Sequence, residues 1–64
     1  MKDNFKDYEI IFTNGKDEET HLLNYHDTNN YDDIKDYAEL YANDEASEFL
    51  ARRGYKVKTI TKLI

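Results

Sequence analysis

Apolar residues alternate along the first part of the chain and recur at helical spacing further on. Across Asn4–Thr13, Tyr8, Ile10 and Phe12 occupy every second position and Ile11 falls on the opposite face, which predicts a β-strand. Asn14-Gly15 follows, a pair that tolerates positive φ and marks a turn. KDEE (16–19) is too charged to pair comfortably, so the returning strand is placed at THLLNYH, residues 20–26. DTNN (27–30) is turn chemistry. From Tyr31 the spacing becomes three and four: Ile34, Ala38, Tyr41/Ala42, Ala46, Phe49/Leu50 and Arg53 form one helical stripe. Its alanines allow close approach to a sheet. Asn30 is the expected N-cap, and Asp32 and Asp33 suit the positive end of the helix dipole. Arg52 and Arg53 suit the negative end, Gly54 is a natural terminator, and Asn43-Asp44 is the point where the helix is weakest. YKVKTITKLI (55–64) is a third strand. Strict alternation puts Tyr55, Val57, Thr59, Thr61 and Leu63 on one face and Lys56, Lys58, Ile60, Lys62 and Ile64 on the other. The expected fold is α+β, in the order β-β-α-β. One helix crosses a three-stranded antiparallel sheet, and residues 1–64 form a single domain.

Size changes this picture in one respect. A domain of about 60 residues buries only about 60% of its unfolded surface, and such a sheet leaves one face uncovered. The chain has no cysteine, so neither a disulfide nor a Cys-based zinc site can brace it. A homodimer is the expected remedy. The first twelve residues do not read as a signal peptide, because Asp3, Asp7 and Glu9 interrupt them. No stretch approaches the roughly 18 apolar residues of a membrane span, so a cytoplasmic protein without a membrane partner is expected.

Charge is unevenly distributed. Residues 1–51 hold four Lys against fourteen Asp/Glu, a balance of −10, whereas residues 52–64 hold five basic residues and no acid. The acidic part repels phosphates and steers toward basic surfaces, which argues against direct nucleic-acid binding. The basic run Arg52–Lys62 contains one aromatic, Tyr55, and is read as pairing with the protein's own carboxylates rather than as a nucleic-acid groove.

Catalytic chemistry finds little support. Ser47 is the one serine, it falls on an acidic helix face, and no base is paired with it in sequence. Two glycines are too few for a phosphate loop. DTNNYDD (27–33) resembles a calcium loop only faintly, lacking the required Gly and terminal Glu, and reads as a capped turn. His21 and His26 fall on opposite strand faces and do not converge on a metal. The reading is a non-enzyme with no cofactor.

The aromatic signal is stronger. Six of 64 residues are tyrosines, and Tyr37 and Tyr41 stand one turn apart in DYAELYAN (36–43) among carboxylates. They either cover the core or form an interface. An apolar groove rimmed by acids imitates DNA: carboxylates replace phosphates, and the groove receives whatever the target inserts between bases.

These residues resemble the small acidic uracil-DNA glycosylase inhibitor family encoded by Bacillus phages. The resemblance rests on Phe5-x-Asp7, Tyr8-Glu9-Ile10, Tyr25-His26 and DYAELYAN, over residues 4–43. The family has the order β-β-α-β and acts as a homodimeric DNA mimic. It implies that Tyr37 and Tyr41 line a groove that captures the glycosylase's DNA-intercalating leucine. Glu9, Asp33, Asp36 and Glu39 would supply negative potential. The chain departs from the family at Asn24, where the family has an acid, and at Ala38, where it has a glutamate that Glu39 stands beside. Its loop before the helix is longer, and residues 44–54 read as additional helix. The resemblance implies an inhibitor of uracil-DNA glycosylase working in a bacterial host cell. The alternatives are an acidic module against another nucleic-acid enzyme, such as a nuclease or CRISPR effector, and a small nucleic-acid-binding protein using residues 52–64.

Overall fold

A computed structural model of the protein describes residues 4–64; Asp3, one of the acids interrupting the N-terminal segment, lies outside them. Strands β1 (Phe5–Thr13) and β2 (Glu18–His26) form a hairpin, helix α1 (Tyr31–Ala42) crosses the sheet, and β3 (Lys56–Lys62) returns antiparallel to β1. The sheet order is β2-β1-β3, so β1 is central and both neighbours are edges. The β-β-α-β architecture is as the alternation and periodicity predict.

The hairpin turn spans residues 14–17 and follows from its two special residues. Gly15 has φ of 93°, and the Asn14 side chain accepts from the backbone N–H groups of Lys16 (2.9 Å) and Asp17 (2.6 Å). Strand β2 begins two residues earlier than its charge predicts. Glu18 and Glu19 pair in register with Thr13 and Phe12. Their carboxylates are offset by cations from elsewhere in the chain, Glu18 by Lys58 and Glu19 by Arg53.

Along β1, Tyr8, Ile10 and Phe12 are buried beneath α1, against Leu23 of β2. The helix contributes Ile34, Ala38 and Ala42. Leu50 and Tyr55 close the core beyond it. Tyr8 is tied at its hydroxyl as well: it donates to the carbonyl of His26 (3.0 Å) and accepts from the N–H of Thr28 (3.1 Å), which seats the turn leading into α1. In that turn the Thr28 hydroxyl accepts from Asn30 N–H, and the Asn30 side chain caps Asp32 N–H. The segment is a capped turn, and no cluster of three metal-ligating side chains occurs among the described residues.

Two sequence expectations are corrected. Strand β3 does not alternate strictly. Ile11 pairs with Thr59 but Phe12 pairs with Val57, so Lys58 is an extra residue, a β-bulge. The bulge resets the period, and Val57 and Ile60 both pack against the core while Thr59 and Thr61 are exposed.

The helix also does not run to Arg53. It ends at Ala42 with Asn43 as cap, and two short 3-10 turns follow, Glu45–Ser47 and Leu50–Arg53. Asp44 starts the first turn by capping Ala46 N–H. Glu48 and Phe49 then take left-handed conformations, with φ of 59° and 56°, and reverse the chain. Gly54 ends the second turn, at φ of 86°. The chain reversal buries Ser47, which sequence periodicity placed on an acidic face. Its hydroxyl donates to the Asp44 carbonyl (2.9 Å) and accepts from Leu50 N–H (3.4 Å), so it is a structural staple.

No helix among the described residues is long and apolar enough to cross a membrane.

Candidate functional site

Helix α1 presents three kinds of surface, set by its 3.6-residue turn. Ile34, Ala38 and Ala42 face the sheet. On the β2 flank, Asp33, Tyr37 and Tyr41 form one i, i+4 ridge, and Asp36 and Leu40 form the next one outward. On the β3 flank, Lys35 and Glu39 overhang a groove of about 450 Å³ walled by Ala42, Tyr55, Lys56 and Val57.

Tyr37 and Tyr41 are half-buried, with their rings resting on β2 and the core below. Tyr37 stacks on Tyr25, with centroids 4.5 Å apart and planes 22° from parallel. Tyr25 in turn touches the His26 ring at 4.2 Å. Tyr41 lies 6.2 Å from the Phe12 ring and meets the His21 ring edge-on at 5.4 Å. The pair is therefore both core cover and surface. Each ring is partly packed and partly accessible along the β2 flank of the helix.

Polar contacts fix the Tyr41 end of this ridge. The Tyr41 hydroxyl is 2.6 Å from Nδ1 of His21, whose Nε2 is 3.0 Å from Oε1 of Glu19. Glu19 Oε2 in turn accepts from Arg53 at 3.2 Å. The hydrogen bond from His21, and then that from Arg53, hold the Glu19 carboxyl below the ordinary glutamate range. Burial, aided by the negative charge of Glu19, raises Tyr41 above the ordinary tyrosine range, so its hydroxyl keeps its proton at neutral pH.

The sequence-derived site residues do not all converge on one surface. Tyr37, Tyr41, Asp33 and Asp36 come together on the β2 flank. Glu39 lies on the opposite flank, in the β3 groove. Glu9 and Asn24 sit at positions of β1 and β2 that face away from the helix. There Asn24 donates to the Asp7 carboxylate at 3.0 Å. That open sheet face also carries Phe5 and Leu22, which are 55% and 65% exposed.

Two participants were not singled out from sequence. Leu40 is 70% exposed beside the tyrosines and extends their apolar surface outward. Its signal was present, as the leucine of DYAELYAN that the helical stripe skips. His21 had no comparable signal, because its partners Tyr41, Glu19 and Phe12 are distant in sequence or on another strand.

The basic C-terminal run is largely engaged. Arg53 pairs with Glu19, Lys58 with Glu18, and Lys62 with Asp27 at 2.6 Å, while Arg52 lies over the Phe49 ring at 4.2 Å.

No family model, curated protein or solved structure matches the chain.

Proposed function

We infer that this protein inhibits uracil-DNA glycosylase by occupying the enzyme's DNA-binding cleft as a DNA mimic. The reading joins the resemblance carried by DYAELYAN to one geometric observation. The ridge Asp33–Tyr37–Tyr41 runs beside Asp36–Leu40, with both acids at one end of an accessible apolar surface braced on β2. A DNA-binding enzyme meets phosphates and inserts an apolar side chain into the stack. This surface offers carboxylates where phosphates would stand and Tyr37, Leu40 and Tyr41 where the insert would go. The role needs no cofactor and no reaction.

The inhibitor acts as a homodimer in this reading. A second protomer covers apolar surface that one protomer leaves open, and it brings a second set of carboxylates toward the cleft. Glu9, Asn24 and Glu39 serve the assembled surface or the encounter field rather than the tyrosine patch of their own protomer.

Competition tests the proposal. A fluorescent uracil-containing oligonucleotide bound to the glycosylase should be displaced at near-equimolar inhibitor, and displacement should slow as salt rises, because the acidic field accelerates encounter. An oligonucleotide that stays bound at large molar excess rejects it.

A further inference from the structure

Three neighbouring groups on three elements leave His21 with few options. Glu19 lies on its own strand, Tyr41 faces it from α1, and Arg53 reaches the far oxygen of Glu19 from the last 3-10 turn. From β1 it meets Ile10, its cross-strand partner, and Phe12, edge-on with centroids 5.6 Å apart, and neither is charged. An ionised carboxylate only accepts hydrogen bonds, so the contact with Glu19 requires a proton on Nε2 of His21. A neutral imidazole carries one proton. Nδ1 is then bare, and the 2.6 Å contact must be the Tyr41 hydroxyl donating into it. In the imidazolium, both nitrogens carry protons. Nδ1 now donates to the Tyr41 oxygen, and the hydroxyl proton must turn elsewhere.

We propose that His21 is a positioning residue for Tyr41, whose imidazole sets the direction of the Tyr41 hydroxyl proton and hence whether this atom offers a partner an acceptor or a donor. With His21 neutral, the Tyr41 proton is taken up by Nδ1, and what the oxygen has left to offer a partner is a lone pair. The partner must bring an N–H or a cationic donor to it, as a basic DNA-binding surface does. With His21 protonated, Tyr41 offers an O–H donor in place of the acceptor, and a positive charge enters beside the apolar patch. Both changes disfavour a basic partner. The identity of the partner rests on the inhibitor reading; the coupling of His21 to Tyr41 does not.

Nuclear magnetic resonance of the free, full-length chain labelled with nitrogen-15 in its histidine rings decides the matter without any glycosylase. At pH 8 the His21 ring should be the single tautomer with its proton on Nε2, and the Tyr41 hydroxyl proton should exchange slowly with water. Acidification should protonate Nδ1 and, over the same range, release the Tyr41 hydroxyl proton to fast exchange. In His21→Asn, the amide oxygen near the former Nδ1 position accepts without titrating, so slow exchange should persist to pH 5. A proton on Nδ1 at pH 8, a mixture of tautomers, or Tyr41 exchange that ignores His21 protonation overturns the proposal. The wild-type titration is sufficient if the variant does not fold. Failure to inhibit the glycosylase would remove the partner while leaving these outcomes unchanged.

Discussion

Tyr37 of the helix and Tyr25 of strand β2 stack ring on ring, 4.5 Å between centroids. Tyr25 thus forms the platform under a residue whose other side is accessible. A stacked aromatic pair contributes about 0.5–1.5 kcal/mol beyond its buried area. Tyr25→Ala should therefore lower the unfolding midpoint and weaken inhibition together, because Tyr37 loses its support. Thermal unfolding and an inhibition titration on the same preparation check this. Unchanged inhibition in a destabilised protein would make Tyr37 a core residue alone.

Leu40 separates binding from folding more cleanly. At 70% exposure it contributes little to the core, and surface substitutions of this kind usually stay within about 0.5 kcal/mol in stability. Leu40→Ala should leave the unfolding midpoint nearly unchanged and weaken the complex by about 1 kcal/mol or more, measured by calorimetry. Leu40→Glu should weaken it further, since a charge then faces an apolar insert.

The reversal after the helix predicts a stabilising change. Glu48 adopts φ of 59° with an exposed side chain, a conformation that costs a residue with a Cβ about 1–2 kcal/mol and costs glycine little. Glycine's greater freedom in the unfolded chain offsets part of the gain. Glu48→Gly should raise the unfolding midpoint by a few degrees in a differential scanning experiment.

The fold was legible where the signal is local. The Tyr8–Ile10–Phe12 alternation, the Asn14-Gly15 turn and the Asn30 cap are each written in adjacent residues. The end of the helix was not, because no glycine or proline interrupts residues 43–49 and apolar spacing continues through Phe49 and Leu50. Left-handed geometry at Glu48 and Phe49 is imposed by burying Ser47 and Leu50, a tertiary demand. The β3 bulge was hidden for a similar reason, since pairing with β1 sets the faces of Val57 and Ile60. At the site, the tyrosine ridge could be read from a four-residue spacing. The split of Glu39 and Glu9 from that ridge depends on where helix and sheet meet, and His21 enters only once β2 lies under α1.

Lys62 anchors the loop before the helix through Asp27, and the pair gives stability a defined pH range. The hydrogen bond from Lys62 holds the Asp27 carboxyl below the ordinary aspartate range, and the same bond raises Lys62 above the ordinary lysine range. A lowered carboxyl stabilises fully above its unfolded value, about 3.9, and loses that contribution as pH falls toward its folded value. A raised amine stabilises fully below its unfolded value, about 10.4, and loses it as pH rises through its folded value. Asp27→Asn should therefore narrow the midpoint difference from wild type at pH 2–3 relative to pH 7. Parallel curves across that range would show that the pair contributes nothing.

The most direct measurement of the central claim is uracil excision by a bacterial uracil-DNA glycosylase, titrated with wild type and with folded Tyr41→Ala. The wild type should abolish activity at near-stoichiometric amounts. Tyr41→Ala should need far more protein, a loss of roughly 2 kcal/mol if Tyr41 is a binding hot spot. Full excision at large wild-type excess, across glycosylases from several hosts, would contradict the inhibitor reading. Equal inhibition by both proteins would contradict the tyrosine groove.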